Sequence, residues 1–256
     1  GFGPHAPHTV NAEDLKLISA LSEQYDLPVS MHVAETEKEF LEFEDKYGLT
    51  PIEYLDSIGM LNERFIAAHA IFVTDSDIAL MKERDIGVSH NMVANIKSAK
   101  GLSPALQMHD LGLRVGLGTD GPMSGNTLDI IGQMGYVAKL HKLDNNDRTV
   151  MPPIKVVEMA TIGGARAIHR ENELGSIETG KLADVVVVEV QSANMVPIYN
   201  PYSALVYSAN ASNVATVIVN GKVIVKNKVL QTYDETKSRQ MMIEFSDRVR
   251  AISKTL

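Results

Sequence analysis

Residues 27–35 read Leu27-Pro28-Val29-Ser30-Met31-His32-Val33-Ala34-Glu35. An apolar run of strand length carries a histidine near its end and an acid three residues further on. The same form recurs at 65–70, 86–90 and 113–118, where His69, His90 and Asp120 stand at or just beyond the ends of the runs. Runs this apolar are buried on both faces, as the strands of a parallel sheet are. Between them lie amphipathic stretches at 12–25, 36–47, 75–84 and 126–140. The first places Leu15, Ile18 and Leu21 on one face, and the second opens on a Thr cap with acids in its first turn. Strands alternating with helices at the spacing of a βα unit, about 30 residues, predict right-handed βαβ units and a parallel sheet.

Four such strands are legible, and a fifth ends near Phe2 with His5 just beyond it. An eight-stranded (β/α)8 TIM-type barrel needs about 250 residues by itself, so residues 1–174 predict a barrel lacking its first strands. After residue 175 the texture changes. A valine run at 183–190 is followed by two strand patterns flanking Asn220-Gly221, a strong hairpin signal. Residues 175–233 therefore predict a partial small β-sandwich domain, and 234–256 a C-terminal helix.

Composition narrows the function. The 256 residues carry a formal net charge of −8 with scattered basic residues, which argues against a nucleic-acid surface. Cysteine is absent, so any metal must be held by His, Asp or Glu. No apolar run is long enough to span a membrane, the N-terminus does not read as a signal peptide, and the expected compartment is the cytoplasm.

Catalytic groups of parallel βα folds sit at the C-terminal ends of the strands. His5, His32, His69, His90 and Asp120 stand there together and would converge on one mouth. Taken singly, each has an ordinary reading: a hydrogen-bonded structural imidazole, a helix-capping Asp120, a solvated first-turn Glu35. The joint pattern favours function. Neutral imidazole and carboxylate suit Zn²⁺ or Fe²⁺, a bound metal brings the pKa of water to about 7, and a nearby acid can carry the proton.

At these residues the chain resembles the amidohydrolase superfamily, in the branch of the methylthioadenosine/S-adenosylhomocysteine deaminases and their chlorohydrolase relatives. The matching segments are Pro4-His5-Ala6-Pro7, His32-Val33-Ala34-Glu35, Ala67-Ala68-His69-Ala70, Ser89-His90-Asn91 with Asn95 and Lys97, Gly118-Thr119-Asp120-Gly121 with Ser124, Asn126-Thr127-Leu128-Asp129, Gly175-Ser176-Ile177 and Gly180-Lys181-Leu182-Ala183-Asp184. The resemblance implies an enzyme, a hydrolase acting on C–N bonds in cyclic amidines. It implies one divalent metal, zinc or else iron, held by His32 and Asp120, with Asp120 also the general base. His69 would hold the attacking oxygen, Glu35 would shuttle a proton to the ring, and His5, Glu35, Ser124 and His90 would meet the substrate. The implied substrate is an amino-substituted heterocycle, foremost an adenosine derivative. The alternatives are a chlorohydrolase-type reaction, a guanine, pterin or cytosine deaminase, and a non-catalytic barrel. Homodimers are common in the family, which leaves a homodimer open as the assembly.

The chain departs from the family at several points. Met92-Val93-Ala94-Asn95 replaces a Pro-x-Ser-Asn segment, and His8 stands where deaminases often have Tyr. The family's His-x-His pair, source of two metal ligands, is not found, which implies that roughly the first third of the family pattern is absent. Gly163-Gly164-Ala165 resembles a helix-packing segment. His141, in Lys139-Leu140-His141-Lys142, reads as solvent-facing.

Overall fold

The computed structural model describes residues 1–253. Its first part alternates helices and strands: α1 (Ala12–Tyr25), β1 (Val29–Val33), α2 (Glu37–Tyr47), α3 (Pro51–Ser57), β2 (Phe65–His69), α4 (Asp75–Glu83), β3 (Gly87–His90), α5 (Met92–Lys97), α6 (Ala105–Asp110) and β4 (Arg114–Leu117). The strands form one parallel sheet in the order β1-β2-β3-β4, and Phe2 adds a parallel bridge to Val29. The four strands read from the sequence are present, and the fifth, expected to end near Phe2, is reduced to this single bridge. Helix starts follow local chemistry. Asn11 and Thr36 accept hydrogen bonds from N–H groups of the first turns of α1 and α2, and Thr50 and Thr74 close capping boxes with Glu53 and Asp77.

Four helices follow: α7 (Pro122–Gly125), α8 (Ile130–Asp144), α9 (Pro153–Ala160) and α10 (Ile162–Ala167). The helix expected at 126–140 starts four residues later. Asn126 is left-handed (φ 58°) and ends the short α7 instead of opening the longer helix.

The two faces of the sheet are occupied differently. Val29, Met31, Val33, Phe65, Ala67, Val88 and Val115 are buried in the main core. On β3 the opposite face carries Gly87 and, two residues on, Ser89. A Cβ at Gly87 would lie 1.8 Å from the Ala167 carbonyl oxygen, and one at Gly116 would lie 2.7 Å from Gly164 Cα. α10 therefore covers this face at backbone distance from Gly87 on β3 to Gly116 on β4, the packing role expected of Gly163-Gly164-Ala165. Above it, Ser89 lines an open cavity.

The rest of the chain supplies β5 (Val185–Val188), α11 (Pro201–Tyr207), β6 (Val214–Val219), β7 (Lys222–Lys226), β8 (Val229–Leu230) and α12 (Glu235–Ser253). The four strands make an antiparallel sheet in the order β5-β6-β7-β8. The β6–β7 turn is the expected Asn220-Gly221, with φ values of 47° and 75°, as a type I′ hairpin requires. α11 packs on α8 and α9 and contributes buried Val206 to the main core. Residues 175–233 thus interleave with the first part of the chain. The C-terminal helix is present as α12, and residues 254–256 lie outside the described residues.

One expectation is overturned. His141 is 1% exposed. It continues the stripe Met134, Val137 and Ala138 along α8, and its Nε2 lies 3.2 Å from His90 Nε2.

Candidate active site

The C-terminal ends of the strands enclose a cavity of about 460 Å³, lined in part by His5, His32, Ala68, Ser89, Asn91 and Asp120. Sheet register builds its floor. His32 pairs with Ala68, and Ala68 with Ser89, so the three side chains share one row and one face. Beyond β4, Gly118 also lines the cavity; a Cβ there would lie 2.1 Å from Asn91 Oδ1 and 2.3 Å from Ser89 Oγ.

Strand alternation would send His69, next to Ala68, to the other face. The chain leaves the extended conformation at that point: His69 has φ 76° and Ala70 φ 45°. The His69 ring stands 5.1 Å from that of His32, which in turn stands 5.0 Å from that of His5. Ala34 and Asp120 are left-handed as well, at 51° and 59°. Four non-glycine residues at the rim therefore hold a conformation that costs each about 1 kcal/mol or more. Such strain persists only where the surroundings enforce it.

The enforcing groups are identifiable. Glu39, from the first turn of α2, is 4% exposed, and its two carboxylate oxygens accept the N–H groups of Ala34 and Glu35 at 3.0 and 2.9 Å. Burial pushes the Glu39 carboxyl up, against those two N–H groups and the nearby His8. The buried Ser103 hydroxyl donates to the Ala70 carbonyl at 2.8 Å. Asn95 Oδ1 lies 2.7 Å from His69 Nδ1.

Glu35 projects from this clamp. Its Oε1 is 3.3 Å from His69 Nε2 and also meets the Lys100 ammonium. Asp120 Oδ2 is 3.8 Å from the same His69 Nε2. Burial opposes ionisation of Asp120, but the Gly121 N–H, the Ser124 side chain and the His69 and His32 rings outweigh it, and the carboxyl falls below its ordinary value. Burial, then neighbouring His69, push His32 down against Glu35 and Asp120, which favours the neutral imidazole a metal requires.

The donor set fits a divalent cation. Ligand atoms of His32, Glu35 and His69 lie within 4.8 Å of one another, and the buried His69 Nε2 has no hydrogen-bond partner among the described residues. Nitrogen and carboxylate oxygen are ligands that zinc accepts.

Of the residues expected from sequence, His5, His32, Glu35, His69 and Asp120 converge. Ser124 joins them through Asp120. His90 does not. Adjacent to Ser89 on β3, it points to the opposite face, is fully buried, and meets His141 instead of the cavity. Its expected substrate contact is corrected accordingly: alternation along the strand turns it away. Glu39, Ser103 and Lys100 carry no functional signal in the sequence, and Asn95 carries only its place in the segment that resembles the family.

A parallel sheet with imidazoles and carboxylates gathered at its C-terminal edge defines the class: an α/β protein built on the plan of the metal-dependent hydrolases. The Amidohydrolase family model matches residues 1–224, and the chain belongs to that family. It is 39% identical over 235 residues to the 5-methylthioadenosine/S-adenosylhomocysteine deaminase of Thermoanaerobacter pseudethanolicus, covering 92% of this chain and 54% of the relative. It is 41% identical over 234 residues to the 5'-deoxyadenosine deaminase of Methanothermobacter thermautotrophicus, covering 91% and 54%. The chain thus spans about half the length of the curated relatives it matches. Among solved structures it resembles a zinc-bound adenosine deaminase from Xanthomonas campestris, with a TM-score of 0.94, 34% identity, and coverage of 98% of this chain and 57% of that one. It shares its fold with an atrazine chlorohydrolase from Arthrobacter aurescens at 24% identity and a TM-score of 0.86, covering 92% and 52%.

Proposed function

We propose that this chain carries the acid–base side of a hydrolytic deaminase acting on an amino-substituted heterocycle, foremost an adenosine derivative of the methylthioadenosine or S-adenosylhomocysteine kind. The carrying observation is the convergence of Glu35, His69 and Asp120 beside His32, at the edge of the cavity that His32 and Asp120 line. The names of the relatives support the substrate class.

His32 and Asp120 would hold one divalent ion, zinc by its ligand chemistry, with His69 and Glu35 beside it to handle the oxygen and the proton. When bound, the ion supplies Lewis-acid activation of water. The chain's own groups do the rest. Asp120, held as a carboxylate, takes a proton from the attacking water at Oδ2. Glu35 enters protonated and gives that proton to the ring nitrogen; it then collects the remaining proton of the added oxygen and passes it to the departing amine, and the proton held by Asp120 returns to Glu35, which resets both carboxyls. His69 Nε2 orients the oxygen that adds to the ring carbon. Water oxygen thus bonds to the carbon, the exocyclic C–N bond breaks, and ammonia leaves. His5, at the exposed end of the row of rings, meets the sugar or tail, and Ser124 steadies Asp120.

We further read the parallel sheet as part of a (β/α)8 barrel and the antiparallel sheet as part of a small β-sandwich, with residues 1–174 and 175–233 as their main contributions.

The test is ammonia release, with methylthioadenosine, S-adenosylhomocysteine, adenosine, guanine and pterins compared. Glu35→Gln should retain metal and lose turnover on amino-heterocycles by about 10²–10⁴-fold, the usual size of a general acid–base contribution. Unchanged turnover would remove the proton-shuttle role.

A further inference from the structure

We infer that Asn95 is a positioning residue for His69: it accepts the hydrogen of Nδ1 and thereby delivers an unprotonated Nε2 to the reaction centre. The inference rests on the functional reading above, in which His69 works through Nε2.

Both partners are completely buried, and the 2.7 Å contact joins His69 Nδ1 to Asn95 Oδ1. An amide oxygen only accepts, so the hydrogen between them belongs to the imidazole. A neutral imidazole carries one hydrogen, and placing it on Nδ1 leaves the Nε2 lone pair free. That nitrogen faces Glu35 Oε1 and Asp120 Oδ2. The reverse orientation of the amide would put the hydrogen on Nε2, where a neutral ring could neither coordinate a cation nor accept a proton.

Asn95 is itself held. Its backbone N–H donates to the Asn91 carbonyl at 3.0 Å, and its carbonyl accepts the Lys100 N–H at 3.0 Å. Two residues earlier on α5, the Val93 N–H donates to Gln133 Oε1 of α8 at 3.1 Å. The backbone that carries the orienting amide is thereby tied to the helix layer behind the sheet, while His69 is tied to the rim through Ala70 and Ser103. Fixing a functional imidazole through its second nitrogen is the general way proteins set its tautomer.

The test is a two-bond hydrogen–nitrogen correlation spectrum of the full chain labelled with nitrogen-15 histidine. It is recorded after chelator treatment, about two pH units above the ordinary imidazole pKa. The His69 signals are identified by their loss in His69→Gln. The native protein should show His69 protonated on Nδ1. Asn95→Asp, which keeps an acceptor, should preserve that pattern, and Asn95→Leu should abolish it and lower kcat at least tenfold with KM little changed. A native His69 carrying its hydrogen on Nε2 overturns the inference, as does an Asn95→Leu variant that folds and keeps the Nδ1 pattern. If Asn95→Leu does not fold, the native and Asn95→Asp spectra decide alone. The spectra read the tautomer directly, so they stand apart from the Glu35→Gln assay: an unreactive protein with the Nδ1 pattern would sink the catalytic reading and leave this contact standing.

Discussion

Acidification should unfold this protein through two histidines that lie outside the cavity. Burial first, then His141 and His69, hold His90 down to about 3 from an ordinary value of 6.5. Burial, against the opposing charge of Asp144, holds His141 down to about 4. A depressed native pKa means that the unfolded chain takes up the proton first. The stability contributed by the neutral pair is therefore complete above pH 6.5 and drains away as the pH falls toward the native values. One pKa unit is worth about 1.4 kcal/mol. Between pH 6.5 and about 5 each imidazole removes about 2 kcal/mol, and the pair about 4 kcal/mol, a large share of the 5–15 kcal/mol typical of a folded domain. The assay is urea unfolding at pH 7.5 and at about pH 5, in the native protein and in His141→Gln, which keeps a hydrogen-bonding group beside His90 but does not titrate. The variant should lose about 2 kcal/mol less than the native protein over that interval. Equal losses in the two proteins would show that His141 titrates as an exposed histidine does, and the buried-pair reasoning would be refuted.

Other expectations are simpler. Glu39→Gln replaces one of two acceptors by a donor facing a backbone N–H, at a cost of about 1–3 kcal/mol to the rim; metal content measured by atomic emission should hold while turnover falls about a hundredfold through misplacement of Glu35. His32→Ala should lose metal and ammonia release together, and retention of both would show that His32 is not a ligand. Gly87→Ala forces a methyl against the Ala167 carbonyl, and should lower the midpoint of urea unfolding by the equivalent of about 1–3 kcal/mol or more; a midpoint unchanged from the native protein would mean that α10 does not sit where it is described.

What the sequence disclosed, it disclosed through strand ends. His32, His69 and Asp120 close apolar runs, and the rule that parallel strands bring their chemistry to one edge was enough to gather them. Glu39, Asn95 and Lys100 left no such mark. Each sits in a helix or loop, where an acid in a first turn, an amide or a lysine is ordinary on a solvated surface. Their partners are set by tertiary packing; Lys100 and the Glu35 it meets are 65 residues apart in the chain. His90 shows the opposite failure. Its strand-end position was legible, but the direction of its side chain turned on a one-residue phase that the run 86–90 does not reveal. The lysines beside His141 suggest a solvated face, whereas Met134, Val137 and Ala138 mark its own face of α8 as buried.

The left-handed residues at the rim have a bearing on where harmful substitutions will be found. Ala34, His69, Ala70 and Asp120 do not hold their conformations by preference. They hold them because the strands beneath are locked in register and the clamping groups are locked to the helices. The rim is thus the keystone course of an arch, shaped by the masonry under it. Loosening beneath the sheet, where α10 meets Gly87 and Gly116, would let these four relax toward ordinary backbone and carry the imidazoles and carboxylates apart. Screens for lost activity should therefore recover positions in the far layer, near Ala167 and Gly164, as readily as positions in the cavity itself.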